Sequence, residues 1–372
     1  MRILPILFTA ALLAPLAIAQ GAGDVIIKKD GSRVRGVEVN EFLLTGVRGK
    51  RGSEDFEVPA HQVANIEWGG EPDAFAAGRS AFERGNFADA AQMFGEAKRQ
   101  ATRPQVQVDA EFHMLKAAVA AIGSDKNAAA NAASGAQAWL AANANHWHLP
   151  EMMLLAGRAQ RLAGTGGTAA TTLKELDDRA SREAWGPVWS ARAKLELALT
   201  LLADGKSSEA RTTFQAASAA ADTALQSPSG DEADLRRLKT TARVGEGETY
   251  LTDKDFSKAE NFFRGLATGN QADLVAAGRA GEGEAIFLQA QTSNRPDDLR
   301  RAQIALAMAS VKDSTSGEAS AKANYYLGRC LIALGAEREG ETFKQRATDY
   351  FRLVVDNYPD SRWATAAKQE MQ

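Results

Sequence analysis

The sequence predicts a mainly α-helical superhelix, a solenoid of repeated helix pairs, preceded by a small β module. Three observations carry this: a change of texture near residue 70, recurring helical offsets after it, and the composition. Of the 372 residues, 45% are hydrophobic but only 7% aromatic, and Ala is abundant. That bias suits closely packed helices more than a large sheet, and it excludes disorder by composition. A net charge of −3 implies no global electrostatic pull toward nucleic acid.

The first stretch, MRILPILFTAALLAPLAIAQ, reads as a targeting segment rather than as part of the fold. Arg2 supplies a positive start, an apolar run follows to Leu16, and Ala17-Ile18-Ala19 is a small-residue cleavage site. The run is short for a membrane anchor, so cleavage after Ala19 and export to the periplasm or beyond are expected. No later stretch is apolar and long enough to span a bilayer. Export permits disulfides, yet Cys330 is the only cysteine, so no bridge forms within the chain. Its helical context, YYLGRCLIALG, points to a buried and inert thiol.

Residues 20–70 form the expected β module. DVIIKKDGSRVRGVEV alternates apolar and polar residues around Asp30-Gly31, a hairpin signal because the turn needs positive φ. FLLTGV, DFEVP and VANIEW add short strands, giving four or five in all, a small curled sheet or barrel. The basic run VRGKRGSED passes directly into acidic residues with no aromatic to stack a base, so it reads as a solvated hairpin. The stretch resembles the small SH3-like modules that precede helical repeats in some exported bacterial proteins. The D-V-x-x-K-x-D-G start and V-x-x-I-x-W end carry that resemblance.

Residues 71–372 repeat. Gly78 is followed by Ala81, Ala90, Phe94 and Ala97, and the same offsets give Gly247, Tyr250, Ala259, Phe263 and Leu266. They recur as Ala198, Leu201, Ala210, Phe214 and Ala217. These positions resemble the tetratricopeptide repeat, a helix–turn–helix unit. Gly157 and Leu173 fit a further unit, with Gly164 to Gly167 at its turn. Gly283 with Leu306, and Gly328 with Phe351, fit two more if seven residues are inserted between the helices, which predicts longer helices there. Residues 107–148 are left as a degenerate unit without a register.

The sequence GEGE occurs twice, at residues 245–248 and 281–284. A phosphate loop follows a strand and opens a helix; neither copy does, and neither leads into a Lys-Ser/Thr pair. Both lie inside predicted helices, where each glycine costs about 1 kcal/mol relative to Ala. Gly247 and Gly283 take the small position where the two helices of a unit meet, so close packing is the expected return. Glu248 and Glu284 follow one residue later, turned away from that contact.

No catalytic constellation stands out. His146 and His148 are the most unusual pair and a conceivable metal pair, but no cysteine is near and Glu151 is the only carboxylate within reach in sequence. A loop capping the next helix, with Pro150 in its first turn, is the favoured reading. His61 and His113 look isolated, and helical carboxylates look like solvated faces. No cofactor, metal or nucleic acid is expected.

What the tetratricopeptide resemblance implies is a concave surface of stacked first helices that binds other proteins or peptides. Carrying the groove positions over gives Arg79, Arg158, Leu199, Glu248, Glu284 and Arg329. One turn earlier lie Phe75, Leu154, Leu195, Val244, Ala280 and Tyr325. The Lys/Asn clamp that some members use for a terminal carboxylate is absent. The last unit, with Tyr326, Gly328, Phe351, Tyr358-Pro359 and Trp363-Ala364, resembles terminal repeats of exported bacterial cell-envelope proteins. The expected function is therefore non-catalytic scaffolding in a bacterial envelope. Two rivals stand beside it: self-assembly, which an exposed apolar patch at the Tyr358–Trp363 end would favour, and a metal-binding or enzymatic role for His146 and His148.

Overall fold

The computed structural model describes residues 23–183, 185–226, 231–293, 295–312, 317–335, 340–359 and 361–372. The targeting segment at residues 1–19 and its cleavage point lie outside the described residues. The described residues start with five antiparallel strands: β1 (Asp24–Lys28), β2 (Arg33–Leu43), β3 (Gly46–Arg51), β4 (Glu54–Pro59) and β5 (Val63–Glu67), in the order β4-β3-β2-β1-β5. The Asp-Gly signal closes the β1–β2 hairpin: Gly31 has φ +82°, and Asp30 accepts from the Ser32 backbone at 2.9 Å. The basic run forms the β3–β4 hairpin, where exposed Arg48 reaches Glu57 at 2.9 Å. One face of the sheet carries Ile26, Val39, Val47 and Ile66, which share a core with Phe75, Phe94 and Trp147 of the helical part.

The helices come in seven pairs: α1 (Asp73–Glu83) with α2 (Phe87–Gln100), α3 (Pro104–Ala120) with α4 (Lys126–Ala142), and α5 (Leu149–Leu162) with α6 (Gly166–Arg182). Next are α7 (Pro187–Ala203) with α8 (Ser207–Leu225), and α9 (Glu232–Thr252) with α10 (Phe256–Leu266). Then α11 (Ala272–Ser293) pairs with α12 (Pro296–Lys312), α13 (Glu318–Gly335) with α14 (Gly340–Asn357), and α15 (Arg362–Glu370) caps the end. Odd-numbered helices α3 to α13 each touch the next odd-numbered one, so they form the inner layer of a tetratricopeptide-like array. The degenerate stretch forms the pair α3–α4; of the last two pairs only α11, at 22 residues, exceeds the other helices, so the longer helices expected for both are found in part.

Backbone chemistry explains the turns. Gly85, Gly164 and Gly205 occupy equivalent places between paired helices with φ of +80°, +82° and +73°. In the fifth pair that place is taken by Lys254 at φ +60°, the only non-glycine positive φ among the described residues.

The glycines of the first helices are packing sites. A Cβ at Gly78 would stand 2.9 Å from the Phe94 ring, at Gly157 2.6 Å from Leu173, and at Gly283 2.5 Å from Leu306. Each GEGE in fact works on two sides. Gly247 lies against Phe263 of its own pair, while Gly245 lies against Phe214 of the preceding pair. Gly281 meets Phe263 from the other side, so that one ring is held between two glycine-bearing helices.

The sheet is fastened to the array by a buried carboxylate. Asp24 accepts from Arg103 at 2.7 and 2.9 Å and from the backbones of Val39 and Gly69 at 2.8 Å each. Farther along, Lys29 at the tip of the first hairpin reaches Asp231, at the start of α9, at 2.7 Å.

Candidate functional site

That Lys29–Asp231 bridge spans the mouth of a groove of about 2110 Å³ between the sheet and the inner helices α3, α5, α7 and α9. Its floor is apolar, with Leu154, Leu155, Val188 and Leu195, and two tryptophans, Trp185 and Trp189, stand in its wall. Its charged residues largely neutralise one another. Lys116 pairs with Glu151 at 2.8 Å, Arg179 with Glu183 at 2.7 Å, and Arg192 with Asp231 at 3.0 Å. Glu196 is buried and receives both Arg158, at 2.7 Å, and Arg161, at 3.1 Å.

The residues singled out for the groove lie in four places. Arg158, Leu154 and Leu195 line this groove. Arg79 sits on α1, bound to Glu71 at 3.0 Å and over the Phe75 ring at 4.8 Å. Glu248 and Glu284 meet through Lys322 of α13, at 3.4 and 2.5 Å, and Glu284 also accepts from Tyr326 at 2.6 Å. Tyr325 and Arg329 both reach Glu370 of α15, at 3.1 and 3.0 Å. The inner face at the C-terminal end is thus filled by its own ion pairs, and Arg362 of α15 adds a 2.5 Å contact to Glu248. Burial disfavours the charged Lys322, but Glu284 and Glu248 outweigh it and hold its pKa above 10.5.

Several expectations need correcting. Most helical carboxylates are exposed or half-buried, but Asp109, Glu196, Glu246, Glu282 and Glu284 are buried exceptions, each reached by a polar side chain from another element: Trp68, Arg158, Gln215, Arg264 and Tyr326 respectively. Trp363 is buried and Tyr358 half-buried, and among the described residues the most exposed large apolar side chains, Ile304, Met308 and Val311, lie on α12. Cys330 is buried as expected, and burial pushes its thiol up to about 12.

His113 is not isolated. Asp109 and His113 stand at i and i+4 on α3, and the turn before α5 brings His148 to them. Asp109 Oδ1 lies 3.3 Å from His148 Nε2 and 3.8 Å from His113 Nε2, while Asp109 Oδ2 accepts from Trp68 Nε1 at 2.8 Å. Phe112 stacks on His148 with ring centroids 3.5 Å apart. His146 stands apart: its ring lies on Phe42 and its Nδ1 accepts the His148 backbone N–H at 3.1 Å. Burial lowers His113 to about 4 and His146 to about 2, so both rings are neutral at neutral pH. Burial opposes ionisation of Asp109, but His113, His148 and the Trp68 hydrogen bond hold its carboxyl below the usual range. Asp109 was readable only as the DAEFH spacing; Trp68 and His148 stood out locally, but they come from other elements and nothing in the sequence joined them to Asp109.

No protein-family model matches the chain, and no curated protein matches it. Among solved structures, it is similar to a Rap protein complexed with Competence and Sporulation Factor: 12% identity, 80% of this chain and 75% of that one, TM-score 0.43. It is also similar to the apo quorum sensor NprR from B. thuringiensis: 11% identity, 76% of this chain and 86% of that one, TM-score 0.47. A third is the Podosopora anserina putative kinesin light chain with nearly identical TPR-like repeats: 14% identity, 57% of this chain and 99% of that one, TM-score 0.38. Likenesses at such identities concern helical repeat architecture and bring no ligand to this chain.

Proposed function

We propose that the protein is a non-catalytic scaffold that takes an extended polypeptide of a partner protein in the groove between the sheet and α5, α7 and α9. The carrying observation is the groove itself: at about 2110 Å³ it exceeds the usual 300–1,000 Å³ of a small-molecule pocket. Its apolar floor and tryptophan wall suit aromatic or aliphatic anchors, and its mutually paired charges favour no strongly charged ligand. A surface built on stacked helices is pre-formed, which limits the entropy lost on binding. The test is a photo-cross-linker placed at Trp189 or Arg158 in cells, with exposed Arg346 on α14 as the control position. One partner captured at the first two positions and not at the third supports the reading. Equal capture at all three, or self-links alone, sinks it.

The site of action we propose is the bacterial envelope, after export and cleavage following Ala19. The support is the N-terminal sequence and the resemblance of the last unit. Sequencing the N-terminus of the chain recovered from the envelope should find Gln20; a chain that keeps Met1 refutes cleavage.

One observation favours self-assembly as a second reading. Ile304, Met308 and Val311 on α12 are 64%, 43% and 85% exposed and share one helix face. If this face joins two copies, Val311→Lys should shift the chain to a smaller species in sedimentation velocity, whereas identical profiles exclude that role for it.

A further inference from the structure

We propose that Asp109, His113 and His148 bind one divalent transition-metal ion of the zinc class, at the junction of the sheet, α3 and the start of α5. The three ligand atoms lie within 4.8 Å of one another. The two oxygen–nitrogen separations are 3.3 and 3.8 Å. Ligands held at about 2.0–2.2 Å around a tetrahedral ion stand about 3.3–3.5 Å apart, so small side-chain shifts close the set. Two imidazoles and a carboxylate suit zinc, iron(II) or cobalt(II) rather than magnesium or calcium.

The hydrogen bonds leave two buried imidazole nitrogens here, His113 Nε2 and His148 Nδ1, without a partner. If His148 carries its only proton on Nε2, toward Asp109, the Nδ1 lone pair faces Glu151 Oε2, 3.8 Å away. If the proton sits on Nδ1, two lone pairs face each other between His148 Nε2 and Asp109. His113 Nε2, which is buried and has no hydrogen-bond partner, is aimed at the same carboxylate oxygen, 3.8 Å away. A metal ion satisfies all three atoms together.

The surroundings match what metal ligands require. Trp68 Nε1 holds the outer oxygen of Asp109 at 2.8 Å, and Glu151 stands behind Nδ1 of His148, the arrangement that orients a ligating imidazole. His148 and Glu151 also line the groove, which would give an ion its entry path. The ion would staple the sheet, through Trp68, to α3 and α5. This inference is independent of what the groove binds.

The experiment uses the mature chain, stripped with chelator and titrated with Zn²⁺ by calorimetry and with Co²⁺ by visible absorption. Expected are one Zn²⁺ per chain, a rise in Tm, and the intense cobalt spectrum of four-coordinate sites. His113→Gln and His148→Gln should each weaken Zn²⁺ binding at least about 100-fold, and His61→Gln, in the groove wall, should leave it unchanged. Less than one ion per chain overturns the proposal, as does binding unaffected by His113→Gln or lost with His61→Gln. If either ligand variant fails to fold, the wild-type chain decides. No rise in Tm and no cobalt spectrum then overturn the proposal.

Discussion

At the scale of single residues, Lys254 and Lys322 are the two positions where an ordinary preference is overruled. Lys254 holds a left-handed backbone in the place that Gly85, Gly164 and Gly205 fill in other pairs. A non-glycine residue pays about 1–2 kcal/mol for that conformation, so Lys254→Gly should stabilise the chain by about 1 kcal/mol in urea unfolding. An unchanged or lower midpoint would mean that the lysine side chain compensates. Lys322 is a buried ammonium between Glu248 and Glu284, and removing it takes from buried Glu284 the only cation that reaches it among the described residues. Lys322→Ala should cost about 3–5 kcal/mol. The same cluster sets a pH dependence. Burial alone would raise the pKa of Glu248, but Lys322 and Arg362 outweigh burial and hold it below 4.5. Its contribution is therefore complete above about pH 4.5 and fades as pH falls through the lower folded value. Urea midpoints of the wild type should drop more steeply below pH 4.5 than those of Glu248→Gln, and parallel curves would remove this cluster from the acid response.

At the scale of elements, the helices trade intrinsic propensity for approach. Gly281→Ala gains about 1 kcal/mol of helix propensity but drives a methyl into the Phe263 ring, which Gly247 already confines from the other side. Overpacking costs about 1–3 kcal/mol, so a net loss is expected. Gly265, on α10, has no heavy atom within 4 Å of an added Cβ, and Gly265→Ala should gain stability by up to about 1 kcal/mol. The two thermal transitions should move in opposite directions; a shift in the same direction would show that packing is not what the repeated glycines serve. This contact was half legible in the sequence. The offset from Gly247 to Phe263 stays within one unit and recurs, so periodicity exposes it. The contact of Gly281 with Phe263 joins two units, and only stacking creates it.

At the scale of the whole molecule, sheet and helices share a core, and Asp24 is the clearest fastening, with four hydrogen bonds to groups from the sheet, the Gly69 linker and Arg103. Calorimetry should show the sheet melting together with the first helix pairs in one transition. Asp24→Ala strands the buried end of Arg103 and should lower that transition by about 3–5 kcal/mol of stability. A separate low-temperature transition for the sheet in the wild-type chain would show instead that the interface is weak. The same arrangement gives the groove its second wall, because Lys29 of the first hairpin closes on Asp231, 202 residues later.

The sequence by itself determined the class of fold, the β module ahead of it, the turns and the close contacts inside each helix pair. These depend on local periodicities of two and 3.6 residues and on backbone sterics at glycine, and both are written in neighbouring letters. Only the tertiary structure decided which charges are buried, where the groove lies and that Trp68, Asp109, His113 and His148 meet. Their partners sit tens of residues apart, and a side chain on an inner helix looks the same in sequence whether it faces water or the next helix. Arg158 and Glu248 occupy the same position of the repeat, yet one lines an open groove and the other is sealed by Lys322 and Arg362. The difference comes from what stacks against each unit, a sheet in one case and the last helices in the other.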